Sequence, residues 1–299
     1  GPMLIMLENY RTGLVWNTFM ANATVQQAIE QVFGNPSSNI INVPGDFATI
    51  QAAIDAAVSG DTILVAAGTY AENIVMKSDI ELRGTSGGVL TPADSTDDAI
   101  IDGADITRTV TLSGVTNATI KGFTIINGRA SDGFGLGGNI YCVNSTVSIV
   151  DNLIADGNRM RSTAGPGRGG GIYFVSSGGE ITNNIFRDNW AWGHGGGMYL
   201  SNADPLILGN TFFGNTSDWG AGIYCTSASP TIKKNIFDDN FADFQDGGGL
   251  YCSASSPVVE NNTFVNNRAG LFSNGEGGAI YLTNNSAPTI FNNIVAFNT

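Results

Sequence analysis

GGNIYC at 137–142, GGGIYF at 169–174, GGGMYL at 195–200, GAGIYC at 220–225, GGGLYC at 247–252 and GGAIYL at 277–282 are six variants of one phrase. The apolar residue after the glycines falls at Ile140, Ile172, Met198, Ile223, Leu250 and Ile280, so the phrase returns after 32, 26, 25, 27 and 30 residues. A period that varies this much is a constant frame carrying loops of unequal length. Inside each copy the first and third positions are apolar: Ile140 with Cys142, Ile172 with Phe174, Met198 with Leu200, Ile223 with Cys225, Leu250 with Cys252 and Ile280 with Leu282. On a strand these share one face, which must point inward. The residue between them is tyrosine in every copy (Tyr141, Tyr173, Tyr199, Tyr224, Tyr251, Tyr281), and the same alternation turns it outward.

A second landmark lies between these strands. NNIFRDN, GNTFFGN, KNIFDDN, NNTFVNN and NNIVAFN align Asn184, Asn210, Asn235, Asn262 and Asn293, and five residues later Asn189, Asn215, Asn240, Asn267 and Asn298. Between the two asparagine columns runs Phe186, Phe212, Phe237, Phe264 and Val295, most simply an inward stack. A period in the twenties, with short strands, glycine at one corner and asparagine at another, is that of a parallel β-helix in which each repeat is one coil. Helical solenoids need roughly 33 residues of helix-forming sequence per repeat, and these repeats are crowded with Gly, Asn and Thr. Coils stack about 4.8 Å apart, so equivalent residues form ladders along the axis. The asparagine columns read as such ladders, with Asn accepting left-handed turn geometry and passing amide hydrogen bonds from coil to coil.

The first half enters the same solenoid from a different beginning. In DFATIQAAIDAAVSGD (46–61), Phe47, Ile50, Ala53, Ile54 and Ala57 fall at helical spacing, which predicts a short helix from Phe47 to Val58 with Asp46 as N-cap and Gly60 as stop. Such a helix would plug the open end of the first coil. Strands are expected at Thr62–Ala66, Ile80–Arg83, Ala99–Asp102, Val110–Leu112 and Thr119–Ile126, each ended by Gly, Asp or Asn. TIQAAIDAAVSGDTILVAAGTYAENI (49–74), IIDG (100–103) and IKGFTIING (120–128) resemble the opening of right-handed parallel β-helix proteins of the pectate-lyase-like superfamily, and with the Asn-bearing coils the resemblance covers about residues 39–299. It implies an all-β solenoid of about ten coils. That superfamily spans lyases, hydrolases, esterases, carbohydrate-binding proteins and adhesins, so it implies no single reaction.

Residues 1–34 stand outside the pattern. Leu4, Ile5, Leu7, Leu14, Val15, Trp16, Phe19 and Met20 offer more apolar surface than one helix should expose, with Gly34 and Pro36 ending the segment. GPMLIMLENYRTGLVWNTFM (1–20) is similar to the C-terminal end of glycoamylase-like α/α-barrel domains. The expected organisation is therefore a helical extension at 1–38, the remnant of an upstream domain, followed by the β-helix at 39–299, truncated at its C-terminal end.

Composition narrows the function. A net charge of -13, with 13 Lys and Arg against 26 Asp and Glu, excludes a nucleic-acid binder of the usual basic kind, and 42% hydrophobic residues excludes a disordered chain. No apolar run is long enough to span a membrane, and no signal peptide is present in this chain. The acidic, lysine-poor composition suits an extracellular or cell-surface protein. Three cysteines form an odd set without metal-ligand spacing. Cys225 and Cys252 occupy one position on successive coils, with Cβ vectors too nearly parallel for an unstrained bridge, so all three are expected reduced and buried.

Stacking the coils brings the loops before each glycine corner to one side, and their contents are unusual for turns: Arg159, Arg161 and Arg168; Trp190, Trp192 and His194; Asp218 and Trp219; Phe241, Asp243, Phe244 and Asp246; Phe272 and Glu276. Aromatic rings beside carboxylates are what a sugar site requires, faces for the apolar side of a pyranose and acceptors for its hydroxyls; equally, the rings could fold back over the coil beneath. Trp190, Trp192, Trp219 and Phe244 are expected to line one lateral groove, with Arg168 and Arg187 as further substrate-binding residues. Asp218 with Asp243 or Asp246 could serve as acid and base if their carboxyl groups sit about 5 to 10 Å apart, or the same residues could hold Ca²⁺. Gly193-His194-Gly195 matches one element of the polygalacturonase pattern by letters, but the basic signature that should follow is missing, and His194 equally fits an exposed turn. The tyrosine column is either a platform for an extended glycan or a set of rings supporting one another.

These features lead to an extracellular β-helix module that binds polysaccharide or oligosaccharide and accompanies a catalytic domain. Alternatives are a polysaccharide lyase or glycoside hydrolase using the loop carboxylates, and a surface adhesin or spacer. Unpaired strand groups on the final coil also suggest end-to-end self-association.

Overall fold

The computed structural model describes residues 39–84, 98–130, 135–157, 166–270 and 275–299. The chain divides into units Gly1–Asn39 and Ile40–Thr299. The expected helical extension lies outside the described residues, as do Arg159, Arg161 and Phe272.

From Ile40 the chain is a solenoid of parallel strands in four sheets, of ten, nine, eight and five strands. One coil shows the plan. Met198–Ser201 lies in the eight-stranded sheet, Leu206–Leu208 in the ten-stranded, Thr211–Phe213 in the nine-stranded and Thr216–Trp219 in the five-stranded, before Ile223–Thr226 opens the next coil directly beside Met198–Ser201. The eight-stranded sheet carries the glycine–tyrosine phrase in unbroken register, from Tyr141↔Tyr173 to Tyr251↔Tyr281. Earlier coils have Thr111 and Val75 on that row.

The inward positions are filled as the alternation requires. Ile140, Cys142, Ile172, Phe174, Met198, Leu200, Ile223, Cys225, Leu250 and Cys252 are fully buried. Phe186, Phe212, Phe237 and Phe264 stack face to face at 4.5 to 4.8 Å, each contributing about 1.5–3 kcal/mol through burial. All three cysteines are free and buried, with Cys225 in register with Cys252 and Cys142 between Leu112 and Phe174. On the last coil the same columns surface: Leu282, Ile290 and Val295 are 41%, 45% and 57% exposed, although each continues a buried row.

The asparagines form two internal ladders. Asn184 donates its backbone N–H and its Nδ2 to Asn210 Oδ1 at 2.8 and 3.1 Å, and Asn210 does the same to Asn235 Oδ1 at 2.8 and 3.0 Å. The left-handed geometry expected of these asparagines belongs instead to the residue before each one: Asn183, Asp188, Lys234, Asp239, Asn261 and Asn266 have φ of 53 to 57°. One left-handed residue turns the chain so that the next side chain points inward. Lys234 tolerates this conformation, costing about 1–2 kcal/mol, because the ladder bonds of Asn235 hold the turn.

Two local expectations are corrected. The helix spans Ile50–Ala56 with Thr49 as N-cap, its hydroxyl accepting from Ala52 N–H at 3.2 Å. Asp46 instead accepts from the backbone and side chain of Asn42, and Glu72, just past the strand Gly68–Ala71, takes the Ile50 and Gln51 N–H groups at 2.8 and 2.9 Å. Ile50, Ala53 and Ile54 are buried against the first strands, which places the helix over the end of the solenoid core. The single strand expected at Thr119–Ile126 is two strands on different sheets, Thr116–Lys121 and Thr124–Ile126, because Gly122 turns the chain at φ +74°.

Candidate functional site

The residue five positions before each tyrosine ends the loop that leads into the glycine corner. In chain order these are Leu136, Arg168, His194, Trp219, Asp246 and Glu276. Their carbonyls form a ladder: Gly137 N–H donates to Arg168 O, Gly169 to His194 O, Gly195 to Trp219 O, Gly220 to Asp246 O and Gly247 to Glu276 O, all at 2.9 to 3.1 Å. The glycine after each residue lets the chain turn without collision. At Gly195, φ is +68° and a Cβ would strike the Met198 carbonyl. A mixed column of side chains therefore stands beside a uniform column of tyrosines.

The tyrosine rings follow one another at 4.7 to 5.5 Å over all six coils, stacked from Tyr141 to Tyr251 and tilted by 31° at Tyr281. Arg108 sits 4.2 Å over the Tyr141 ring, and the Arg168 guanidinium lies 5.4 Å from the Tyr199 centroid while hydrogen-bonding the Tyr173 hydroxyl. His194 stacks on Trp219 at 4.9 Å and meets Tyr224 edge-on at 4.6 Å. So covered, Tyr173 and Tyr199 are only 9% and 6% exposed, although they point outward. Burial, with the Arg168 charge nearby, holds His194 down at about 4 and neutral at pH 7. Burial and the adjacent tyrosines push Tyr224 up to about 12. Two buried nitrogens here, Arg168 Nε and His194 Nδ1, have no hydrogen-bond partner.

The four rings expected in one groove fall into two groups. Trp190 and Trp192 meet at 5.8 Å and Trp192 meets Phe244 at 6.1 Å, whereas Trp219 belongs to the His194–tyrosine group. The reason is a register shift: Ala191 pairs with Ser217 but His194 pairs with Trp219, so one extra residue bulges from the Trp190–His194 strand. Arg187 is apart from both groups, on the nine-stranded sheet beside Phe213 and 3.6 Å from Asp188.

Asp218 and Asp243 are brought together closely enough to hydrogen-bond through their carboxyl groups. Asp243 and Gln245 donate their backbone N–H groups to Ser217 O and Asp218 O, which draws the two loops together. Burial raises the Asp243 carboxyl, whose Oδ1 has no hydrogen-bond partner of its own. Asp246 is separate: its Oδ1 accepts from Glu276 N–H at 2.8 Å, and its carboxylate takes the Tyr281 hydroxyl. Among the described residues no group of three or more His, Cys, Asp or Glu could hold a metal ion.

The model of the right-handed β-helix region matches residues 108–295. The chain belongs to the right-handed β-helix family. No curated protein matches it in sequence. Among solved structures, the β-helix is similar to a pectin methylesterase in complex with hexasaccharide VII, at 11% identity over 87% of this chain and 93% of that one, with a TM-score of 0.45. Pectin methylesterase PemA from Erwinia chrysanthemi matches at 11% identity over 84% and 89% with a TM-score of 0.43. A polygalacturonase from Erwinia carotovora ssp. carotovora matches at 14% identity over 87% and 96% with a TM-score of 0.31. The likeness is one of overall fold. No helix among the described residues of this β-helix is long and apolar enough to cross a membrane.

Sequence reasoning singled out Arg168, His194 and Trp219 as loop contents but not the column they form with Leu136, Asp246 and Glu276. The signal was available: every one of the six lies at the same distance before its tyrosine.

Proposed function

We propose that this β-helix is an extracellular polysaccharide-binding module that accompanies a catalytic domain, and that its binding track is the tyrosine row with the column beside it. The observation that carries this reading is the unbroken row of six tyrosines, five stacked and Tyr281 tilted at its end, flanked by Arg168, His194 and Trp219. Rings repeated at coil spacing, their faces closed by one another, line the track with their outer edges, and the flanking groups offer hydrogen bonds to the hydroxyls of an extended chain. The acidic, lysine-poor composition supports the extracellular location. A glycan array on the intact chain, with and without Ca²⁺ and followed by product analysis, tests the reading. Binding without cleavage is expected, and Trp219→Ala should weaken it by about 1–3 kcal/mol while leaving the fold intact. An array with no hit, or a Trp219→Ala variant that binds as the parent does, would remove the track.

A second reading, a polysaccharide hydrolase or lyase, is favoured by the Asp218–Asp243 pair beside Trp192 and Phe244. A hydrogen-bonded carboxyl pair shares one proton, and one member is held above its ordinary range. Glycosidase carboxyl groups that flank a scissile bond stand about 5 to 9.5 Å apart, however, so this pair would act as one proton-sharing unit. Released oligosaccharide, abolished by Asp218→Asn or Asp243→Asn, would make this reading the leading one.

A further inference from the structure

Arg83, Lys121, Arg187, Lys233 and Arg268 each lie within ion-pair distance of an aspartate or glutamate, as a protein of net charge -13 readily allows. Arg168 does not. Among the described residues no carboxylate pairs with it, and it is held instead by the Tyr173 hydroxyl and the Tyr199 face, with its Nε buried and without a partner. His194, its neighbour in register, likewise keeps an unpartnered Nδ1. A guanidinium fixed on the tyrosine row without a carboxylate partner matches a ligand that brings the negative charge itself.

We infer that the track takes an anionic glycan and seats one carboxylate or sulfate group of it against Arg168 and His194. The inference rests on the glycan-binding reading above and names its substrate class. Charge-assisted bonds from Arg168 fix the anion, His194 adds a neutral donor or acceptor, and Trp219 stacked on that imidazole offers its ring to the adjoining sugar. The column then changes sign. Past Trp219 it continues as Asp246 and Glu276, whose backbone positions follow coil by coil at about 4.8 Å per step. An anion on every sugar would run into these carboxylates within three steps. A chain with one anion at the Arg168 end and neutral sugars beyond it would not. The track is therefore graded, selecting sparsely charged over fully charged polymers and setting the direction in which the chain lies.

Titration calorimetry on the intact chain tests this with three probes of equal length: an oligo-uronate with a single acidic residue, its carboxyl-reduced neutral counterpart, and a neutral oligosaccharide bearing one sulfate. Binding of one anionic probe at least tenfold tighter than the neutral one is expected, and whichever gains more identifies the group as carboxylate or sulfate. Arg168→Gln should bring that ratio close to one, and Arg168→Lys should restore part of it. Asp246→Asn with Glu276→Gln should raise affinity for a fully charged oligo-uronate severalfold. Equal binding of neutral and anionic probes to the parent chain would overturn the anion seat while leaving glycan binding in place, as would an unchanged ratio in a folded Arg168→Gln variant. Failure of all three probes, together with a blank glycan array, would overturn the parent reading and this inference with it. The comparison among probes needs no variant, so a misfolded substitution cannot obscure it.

Discussion

Replacing Asn210 with Ala removes one rung from the middle of an internal ladder, and its cost can be worked from the bonds in place. Asn210 Oδ1 accepts from Asn184 N–H and Asn184 Nδ2, and its own Nδ2 donates to Ile181 O at 2.8 Å and Asn235 Oδ1 at 3.0 Å. The substitution breaks these four and spares the backbone bond from Asn210 N–H to Asn235. Asn184 Nδ2 keeps the carbonyls of Ile149 and Thr182, but Asn184 N–H becomes a buried orphan. One orphaned donor at about 1–3 kcal/mol and three further bonds at about 0.5–1.5 each give a destabilisation of about 5 kcal/mol. With an m-value of about 3 kcal/mol per molar urea, the midpoint should fall by more than about 1 M. Asn293 is the control, since its side chain makes the same kinds of bond to Asn262, Val259 and Phe291, but on the exposed last coil. Water can replace those partners, so Asn293→Ala should cost about 1 kcal/mol. Urea unfolding followed by circular dichroism compares the two directly. Equal costs at 210 and 293 would mean that ladder bonds stabilise the coil no better than water does, and the reasoning would fail.

Burial pushes the Cys142 thiol up to about 12, and the hydrogen bond with Cys252, together with burial, raises Cys225, so a thiol reagent at pH 8 should find no reactive group in the native chain and three after unfolding; two missing thiols would point to a Cys225–Cys252 bridge. His194 titrates near 4 in the folded chain against an ordinary 6.5, so the unfolded state binds more protons between those values. Stability should then be full above about pH 6.5 and decline toward pH 4, by at most about 3 kcal/mol before solvent screening of the partly buried ring. Asp243, raised by burial, works in the opposite sense, stabilising below its own pKa and losing that contribution as pH rises through it. His194→Gln isolates the histidine part, and an unflattened slope between pH 4 and 6.5 in that variant would refute it.

The solenoid was legible because its frame repeats. The alternation around Tyr141 through Tyr281 assigned inward and outward faces, the Phe column located a second strand in each coil, and the Asn columns located the turns. Boundaries were less legible where one residue decides them: Gly122 looks like any glycine in a β-rich stretch, yet its positive φ sends Thr116–Lys121 and Thr124–Ile126 to different sheets. The site was only partly legible for a related reason. Loop contents could be collected by position, but the single extra residue opposite Asp218 separates Trp192 from Trp219, and a one-residue bulge leaves no compositional mark. The Asp218–Asp243 contact depends on backbone bonds between loops of unequal length, which spacing does not specify.

A contrast between two columns that share one backbone ladder bears on function. Wherever the coil needs a side chain, the same residue returns: Asn fills the rungs from 184 to 293 and Phe the stack from 186 to 264. Before the glycine corner the carbonyls bond from coil to coil just as regularly, yet the side chains run Leu136, Arg168, His194, Trp219, Asp246, Glu276 without one repetition. The main-chain pairing there does not depend on what those side chains are, because the main chain alone supplies it. A position that the fold holds at fixed spacing but does not constrain in chemistry is free to carry recognition. Its sequence of cation, imidazole, indole and carboxylates, set against a row of identical rings, gives each step of about 4.8 Å a different partner for whatever lies along it.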